Sequence, residues 1–259
     1  MAYQCTGCGS VAGEFSLLCP WCGAWLTLRS GTEEELRQAS PLPLPDVAPP
    51  PVARRRTRVD RLDALLGGGF VSGSSVLLTG APGAGKSTLI LQLLHASGET
   101  ALYVSGEEAA AQIKLRADRL GINSPEIAVA FETNIRPVAS FARKRSPAFL
   151  VIDSIQTVYT DLSDSLPGSV TQVRKCTYIL RRLAQEKKIV LLVVGQVTKG
   201  LQAAGPKMLE HAVDAVLFLG VQSDDPATRV LSVTKNRFGP AGCSIALRMA
   251  EGGFLLHGG

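Results

Sequence analysis

Residues 80–88 have the types and the spacing of a loop that binds phosphate. In order they are Gly80, Ala81, Pro82, Gly83, Ala84, Gly85, Lys86, Ser87 and Thr88. This run fits the pattern G-x-x-x-x-G-K-[ST] at each defined position. Glycines let such a loop turn its backbone N–H groups inward as a cradle for anions. The sequence therefore predicts an ATP site in which all nine residues contact the nucleotide.

Two side chains of this loop are predicted to contact the phosphates and the metal ion. We expect Lys86 to reach the β- and γ-phosphates and the Ser87 hydroxyl to ligate Mg²⁺. An apolar run precedes the loop and a helical pattern follows it, so the N-terminus of that helix adds its dipole to the site. The alternative is a glycine-rich loop that only joins a strand to a helix.

ATP hydrolysis also needs a carboxylate for the metal and a group that activates water. Asp153 follows four apolar residues and is predicted to hold Mg²⁺ at the carboxyl edge of a parallel sheet, where ligands bind; a helix cap is the other interpretation. Glu107 is predicted to be the general base, unless it is an ordinary acid at a helix start. Gln196 is predicted to sense the γ-phosphate, and a simple polar strand end is its alternative.

Four cysteines near the N-terminus have the spacing of a metal site: Cys5, Cys8, Cys19 and Cys22. Two C-x2-C pairs suit structural Zn²⁺ in tetrahedral geometry, which leaves no open position for catalysis. A redox dithiol or a chance arrangement is the alternative. Trp21 and Trp25 would cover this site or stack on a base. So short a segment holds too small a core to fold alone, so metal binding is expected to supply its folding free energy.

Composition divides the chain into three segments. Residues 1–28 are rich in Cys, Gly and Trp and are predicted to form a zinc-ribbon-like module. Residues 29–56 hold alternating prolines and an arginine run, Arg54, Arg55 and Arg56, which predicts a semi-stiff linker with room for a short helix at 32–39. Residues 57–259 are predicted to be one ATPase core.

Within the core, apolar strand-like runs alternate with helical stretches. The runs are residues 75–79, 101–105, 149–152, 189–194 and 215–219, and the helices are 86–96, 108–120 and 170–186. This order predicts an α/β fold with a central, mostly parallel sheet covered on both faces. We expect the strand at 101–105 to lie beside the loop strand. The tail, 229–256, predicts antiparallel strands at one sheet edge.

Bulk properties narrow the function classes less than the motifs do. Of the 259 residues, 46% are hydrophobic and 19% are charged, and the net charge is +5. This basic excess permits a polyanionic partner without requiring one. The apolar runs are far shorter than the roughly 18 residues of a membrane span, and no signal-peptide pattern follows Met1. We therefore expect a cytoplasmic protein that does not contact a membrane.

Together these motifs resemble the RadA/Sms family of bacterial DNA repair and recombination ATPases. Besides the cysteines and the phosphate loop, the segments that carry the resemblance are 65–69, 103–108, 112–116, 151–157, 167–173, 209–211 and 235–239. The resemblance implies a RecA-type core and a homo-hexameric ring related to replicative helicases. It also implies ATP-driven branch migration of recombination intermediates, on single-stranded DNA, in the repair of DNA damage.

The resemblance assigns roles that spacing alone does not. In related ring motors a Lys-x-Arg pair reaches the phosphates of the neighbouring subunit, which implies that role for Lys235 and Arg237; a solvated basic strand end is the alternative. Two departures stand out. Members usually carry a protease-like domain after the core, whereas this sequence ends at Gly259, and ring assembly is the property that this difference puts in question. Gln196 stands where the family commonly has His.

DNA contacts are predicted from the loops that follow the strands ending at Asp153 and Gln196, which are residues 160–169 and 198–207. The candidate residues are Lys199, Lys207, Arg174 and Lys175. Flexible basic loops suit a phosphate backbone, although each of these charges also fits a solvated surface. A recombinase or replication protein would bind the zinc module. The alternative functions are a regulatory ATPase that assembles on a protein partner and a non-catalytic recruitment module.

Overall fold

The computed structural model of this chain describes residues 2–6, 11–21, 27–31, 43–46, 53–196 and 206–256, with only the backbone at 206–208. The chain forms two compact units, Met1–Val52 and Ala53–Gly259. Within the described ranges, no helix has both the length and the apolar character that a membrane span needs.

The smaller unit contains a three-stranded antiparallel sheet. Its strands are β1 (Ala2–Cys5), β2 (Val11–Ala12) and β3 (Leu28–Gly31), and β1 lies in the middle. A single 3₁₀ turn follows at Leu44–Asp46. Since β3 pairs with β1 over its whole length, residues 29–31 belong to this sheet, although the sequence placed them in the linker. The predicted helix at 32–39 lies outside the described residues.

The larger unit begins with a two-stranded ribbon that fixes the basic run. Its strands are β4 (Arg54–Arg55) and β5 (Phe70–Val71), with helix α1 (Asp60–Leu65) between them. Arg54 donates to the carbonyls of Leu66 and Gly69, at 3.3 and 3.0 Å. Arg55 pairs with Glu99 at 3.1 Å and Arg56 with Asp63 at 3.2 Å. The prediction that this run belongs to the linker is therefore corrected, because the three arginines lie in the larger unit and each has a hydrogen-bond or ion-pair partner there.

In the described part of this unit, a nine-stranded sheet and five helices follow. Its strands are β6 (Ser75–Gly80), β7 (Ala101–Ser105), β8 (Ile127–Phe131), β9 (Phe149–Asp153), β10 (Val190–Gln196), β11 (Ala215–Val221), β12 (Thr228–Asn236), β13 (Cys243–Ala250) and β14 (Gly253–Phe254). The helices are α2 (Lys86–Ser97), α3 (Ala110–Arg119), α4 (Ile135–Arg145), α5 (Val170–Lys187) and α6 (Pro206–Ala212).

The sheet has a parallel body and one antiparallel edge. The strand order is β14-β13-β12-β11-β6-β10-β9-β7-β8. Strands β6 to β11 run parallel to one another, whereas β12, β13 and β14 are antiparallel. The predicted α/β fold with antiparallel edge strands is confirmed.

One prediction about strand order is wrong. The strand β7 does not lie beside the loop strand β6, because β10 and β9 stand between them. The crossover through α2 passes over two strand positions, and later parts of the chain fill them. The sequence analysis also missed β8 and α4. At the sheet edge β8 is only half-buried, so it lacks the continuous apolar pattern that marks the inner strands.

Alternating residues of the strands build a core on each face of the sheet. On β6, Val76 and Leu78 belong to one buried cluster and Leu77 to the other. Leu89 on α2 packs in the first cluster and Leu180 on α5 in the second. Since each fully buried aliphatic side chain stabilises the fold by roughly 1.5–3 kcal/mol, the helices hold the carboxyl ends of the parallel strands in a fixed frame.

Candidate nucleotide-binding site

The predicted phosphate loop lies at the carboxyl end of β6 and leads directly into α2. Gly83 and Gly85 have φ angles of 75° and 100°, in the left-handed region that glycine adopts without strain. A Cβ atom at Gly85 would also lie 2.5 Å from the Cε atom of Met249. The turn that aims the loop at α2 therefore depends on glycine at this position.

Lys86 is held inside the loop. Its Nζ atom donates to the carbonyl oxygens of Gly80 and Ala81, at 2.8 and 2.9 Å. Burial lowers the pKa of this amine, while the carboxylates of Asp153 and Glu107 act in the opposite direction. Lys86 Nζ therefore lies beside the loop carbonyls, at the place where a phosphate chain bound in the loop would contact it.

The two predicted magnesium ligands touch each other. The Ser87 hydroxyl donates to Asp153 Oδ2 at 2.6 Å, and the Tyr103 hydroxyl donates to the same oxygen. A hydroxyl and a carboxylate are hard oxygen ligands of the kind that Mg²⁺ takes together with substrate phosphates. The residues thus fit the expected metal, and Asp153 has its orientation fixed by two hydroxyl groups.

Tyr103 is a residue that the sequence analysis did not assign to the site. It is fully buried in β7, and burial first, then the charge of Asp153, raises its pKa well above the ordinary value of 10. The phenol therefore stays protonated and acts as a hydrogen-bond donor. The available signal was a tyrosine inside an apolar strand, because a buried phenol hydroxyl needs a polar partner.

Glu107 connects three strand ends. Ser154 Oγ donates to Glu107 Oε1 at 2.5 Å, and Gln196 Nε2 lies 3.0 and 3.1 Å from the two carboxylate oxygens. A close approach of chains permits this: a Cβ atom at Gly106 would lie 2.1 Å from Thr157 Oγ1. Glu107, two residues after β7, and Gln196, the last residue of β10, thus meet across the end of β9.

Glu108 has a different partner from its neighbour. It pairs with Arg116 NH2 at 2.5 Å, and α3 begins only at Ala110. The expectation that Glu108 opens the first turn of this helix is therefore corrected, because the residue lies in the connection before it. Ser105 Oγ accepts the backbone N–H groups of both glutamates, at 3.2 Å for Glu107 and 2.9 Å for Glu108, and so fixes the connection that carries them.

A cavity of about 320 Å³ joins these groups, and its volume lies in the range of small-molecule sites. Its lining is Pro82, Gly83, Gly85, Lys86, Ser87, Thr88, Ser105, Glu107, Glu108, Arg116, Arg119, Asp153, Val194 and Gln196. The structure thus brings Lys86, Glu107, Asp153 and Gln196 together, and it adds Arg116 and Arg119, which the sequence analysis did not assign to the site.

Lys235 and Arg237 do not line this cavity. Lys235 lies in β12 and pairs with Val216 of β11. Its Nζ atom donates to the carbonyls of Glu210 and Val213, at 2.6 and 2.8 Å. Arg237 NH1 contacts Asp214 Oδ1 at 3.2 Å. Both cations therefore lie at the amino end of the parallel strands, opposite the phosphate loop.

The predicted DNA residues are only partly within the described chain. Arg174 and Lys175 lie on the exposed side of α5 near its start, and Lys175 Nζ donates to the Leu162 carbonyl at 2.7 Å. Lys199 and the side chain of Lys207 lie outside the described residues. The backbone at 206 and 207 belongs to α6, so these two residues are not part of the loop that was predicted at 198–207. The loop at 160–169 is fastened to α5 by the buried Gln172, which donates to carbonyls at Thr160, Ser163 and Ser165.

Two of the four predicted zinc ligands are described, and they lie together. Cys5 and Cys19 are both buried in one small cluster with Leu28. The backbone N–H of Trp21 donates to Cys19 Sγ at 3.4 Å. The Trp21 ring is half exposed and donates to the Val11 carbonyl. Cys8, Cys22 and Trp25 lie outside the described residues, and the described ones contain no cluster of three metal-ligating side chains.

Comparison with known proteins agrees with this geometry. The family model described as "ATPase: KaiC" matches residues 55–134, and a crystal structure of the RadB recombinase matches 77% of this chain and 98% of its own, with a TM-score of 0.60 and 24% identity. The larger unit is therefore a KaiC/RecA-type ATPase domain with a RecA-like fold.

Relatives with known names show to which group of these ATPases the chain belongs. The chain is 41% identical to the DNA repair protein RadA of Bacillus subtilis, over 92% of this chain and 55% of that protein. The RadA proteins of Aquifex aeolicus and Mycobacterium tuberculosis are also 41% identical, over 97% and 98% of this chain and 58% and 55% of theirs. The chain is a homologue of the RadA DNA repair proteins, and it spans little more than half of their length.

Proposed function

We propose that this chain is a DNA-dependent ATPase of homologous recombination and DNA repair, acting in the cytoplasm as a homo-hexameric ring that drives branch migration on single-stranded DNA. The observation that carries the proposal is the hydrogen-bonded set at the carboxyl ends of β9, β7 and β10. There Ser87 meets Asp153, and Glu107 meets Gln196. The relatives' name, DNA repair protein, supports the DNA substrate.

In this mechanism the loop binds ATP and the strand ends act on its last phosphate. Lys86 reaches the β- and γ-phosphates, and Ser87 and Asp153 hold Mg²⁺. When bound, Mg²⁺ neutralises charge that develops on the phosphate oxygens. Tyr103 keeps Asp153 in place through its hydroxyl. Glu107 orients a water molecule in line with the γ-phosphate and accepts its proton.

Gln196 couples this chemistry to DNA. Its Nε2 atom contacts both oxygens of Glu107, so a change in the charge or position of Glu107 alters this bond. Gln196 is also the last residue of β10, and the predicted DNA loop at 198–207 follows directly. ATP hydrolysis is thus linked to the DNA contacts proposed for Lys199 and Lys207, while Arg174 and Lys175 hold the DNA backbone from α5.

The positions of Lys235 and Arg237 support assembly. Asn236 pairs with Ala215, and Ala215 with Val76, so the pair lies about 13 Å from Gly80 along β6, at a rise of roughly 3.3 Å per residue. Cations at that end reach a nucleotide only in a second copy. Contacts between different ends of two identical chains are heterologous and close into a ring when the rotation permits.

Zn²⁺ completes the proposal at the N-terminus, bound by Cys5, Cys8, Cys19 and Cys22. The two described thiols fit a tetrahedral sulfur site because they share one buried cluster. We infer that the metal folds the smaller unit and presents it to a recombinase or replication protein. Measured metal content should be one zinc per chain, and a chelator should unfold residues 1–31 while the larger unit stays folded. Retention of that fold without zinc would contradict the assignment.

The test of the function is ATP hydrolysis with and without single-stranded DNA across a salt series. Stimulation that weakens as salt rises is expected, because the DNA contacts are electrostatic. Lys86→Ala should abolish hydrolysis, and Lys199→Ala should raise the DNA concentration needed for half-maximal stimulation. Hydrolysis that ignores DNA at every salt concentration would favour the alternative, a regulatory ATPase that assembles on a protein partner.

A further inference from the structure

Asp214 is a buried carboxylate at the amino end of the sheet. It follows α6 and precedes β11, and only 5% of its side chain is exposed. Its Oδ2 atom accepts hydrogen bonds from the backbone N–H and the hydroxyl of Ser75, at 3.0 and 2.6 Å. Ser75 is the first residue of β6. The carboxylate is therefore fixed to the strand that carries the phosphate loop at its other end.

Two arginines share the second oxygen of this carboxylate. Arg237 NH1 lies 3.2 Å and Arg181 NH2 3.4 Å from Asp214 Oδ1. Arg237 comes from the end of β12, whereas Arg181 comes from α5, so the two guanidiniums approach one oxygen from separate elements. A single carboxylate oxygen with two long contacts neutralises two guanidiniums only in part.

The cluster has more cations than carboxylates. Lys235 is the third cation, and Glu210 is the second nearby carboxylate. Burial and, next, the charge of Arg237 lower the pKa of Lys235, and Arg181 acts in the same direction, against Asp214 and Glu210. The three cations are thus near enough to repel one another, and an anion with several charges relieves that repulsion.

Arg181 has spare hydrogen-bonding capacity. Its Nε atom is buried and has no acceptor within the described part of the chain, and 28% of its side chain remains exposed. Arg181 contacts Asp214 through NH2, and the exposed part of its side chain leaves it accessible to a ligand beside that contact.

We propose that Arg181 joins Lys235 and Arg237 as a third cation that binds the triphosphate of a second copy, with Asp214 positioning both guanidiniums. The inference rests on the proposed function, because it needs the amino end of one sheet to face the phosphate loop of another. The surface it defines recognises a polyphosphate chain with its metal ion. The ligand sits in the neighbour's loop, and the three cations complete the site.

Arg181→Gln tests the proposal, with Arg182→Gln as the matched control. Arg182 is the next residue on α5, but its guanidinium lies 5.9 Å from the centre of the Tyr178 ring. Arg181→Gln should bind a fluorescent ATP analogue in its own loop within about twofold of the unchanged chain, yet hydrolyse ATP at least about tenfold more slowly. Arg181→Lys should keep part of the rate because it keeps the charge.

Mixing chains separates a role across the interface from a role inside one chain. Lys86→Ala chains have no working loop but carry an intact Arg181. Adding them in excess to Arg181→Gln chains should restore the rate per Arg181→Gln chain toward that of the unchanged protein. Arg237→Ala mixed with Lys86→Ala is the reference, because it tests assembly of the active site across chains without involving Arg181.

The outcomes are distinct. Recovery with Arg237→Ala but not with Arg181→Gln would overturn the role of Arg181 and leave the proposed function intact. An Arg181→Gln rate equal to that of Arg182→Gln would overturn it as well, and so would loss of nucleotide binding in its own loop. Recovery in neither mixture would overturn the proposed function and this inference together.

Discussion

At both ends of the same parallel sheet, hydroxyl groups hold a carboxylate in place, but the two carboxylates have different surroundings. At the carboxyl end, hydroxyls of Ser87 and Tyr103 fix Asp153, and the cavity beside it stays open. At the amino end, the hydroxyl of Ser75 fixes Asp214, and the guanidiniums of Arg181 and Arg237 contact this carboxylate. The first carboxylate faces a site for metal and nucleotide. The second one anchors positive charge.

The difference extends to the balance of charge. The carboxyl-end cavity holds three carboxylates, Glu107, Glu108 and Asp153, and three cations, Lys86, Arg116 and Arg119, to which ATP brings further negative charge. The amino end carries Lys235, Arg237 and Arg181 around Asp214 and Glu210. Under the proposed function, these ends of two copies meet in a head-to-tail contact, and a complete active site then takes residues from both copies.

The largest effect is expected from the amino end. Arg237→Ala should lower kcat by about a thousandfold or more, as removal of an arginine finger does. Nucleotide affinity of the variant's own loop should stay the same, because Arg237 lies at the other end of the sheet. Steady-state hydrolysis and nucleotide titration measure both. Arg248→Ala, an exposed arginine on β13, is the control, and equal rates for the two variants would contradict the assignment.

At the carboxyl end, substitutions of the two adjacent glutamates should have different effects on kcat. Glu107→Gln should lower kcat by about a hundredfold or more, because Glu107 contacts Ser154 and Gln196 at the strand ends. Glu108→Gln should lower it by less than about tenfold, because its partner is Arg116. The variants control for each other in one hydrolysis assay. A larger loss of kcat in Glu108→Gln would mean that Glu108, and not Glu107, is the general base.

Stability should distinguish the buried carboxylate from an exposed one. Asp214→Ala removes the acceptor of Ser75 and the counter-charge of two arginines, so the free energy of unfolding should fall by about 3 kcal/mol. Asp118→Ala breaks the exposed pair with Lys114 on α3 and should cost less than about 1 kcal/mol. Denaturant titration of the two variants measures this. A similar small loss of unfolding free energy in both variants would show that Asp214 contributes little to stability.

The smallest effect should come from the hydroxyl that supports Asp153. Tyr103→Phe keeps the ring in the core and removes only the donor to Asp153 Oδ2. The Mg²⁺ concentration for half-maximal hydrolysis should rise about tenfold, which is typical for loss of a group that orients a metal ligand. Tyr178→Phe, exposed on α5, should leave it in place. An unchanged Mg²⁺ dependence would mean that Ser87 alone orients Asp153.

The sequence predicts what local patterns encode. The phosphate loop has its own motif, and Asp153, Glu107 and Gln196 each follow an apolar run, so all were expected at strand ends. Parallel strands present their carboxyl ends at one edge, and the structure places these residues around one cavity. The alternation of strands and helices likewise predicted the α/β fold that the structure and the RadB match bear out.

Features that depend on long-range pairing were not predictable in this way. The sequence gives no measure of how many strand positions a crossover skips, and therefore β7 was placed beside β6. The partner of Tyr103 lies 50 residues away in the chain, and Asp214 meets Ser75 at a separation of 139 residues. Arg116 and Arg181 look like solvated charges on helices until the fold shows what they face.

The most direct test of the central claim, that the two sheet ends of different copies form one active site, is hydrolysis by a mixture of Lys86→Ala and Arg237→Ala chains on single-stranded DNA. Each variant alone should be nearly inactive. The mixture should recover a substantial share of the rate, because the Arg237→Ala loop then faces an intact Arg237 from a Lys86→Ala chain. A mixture as inactive as its components, under conditions where the unchanged chain is active, would contradict the account.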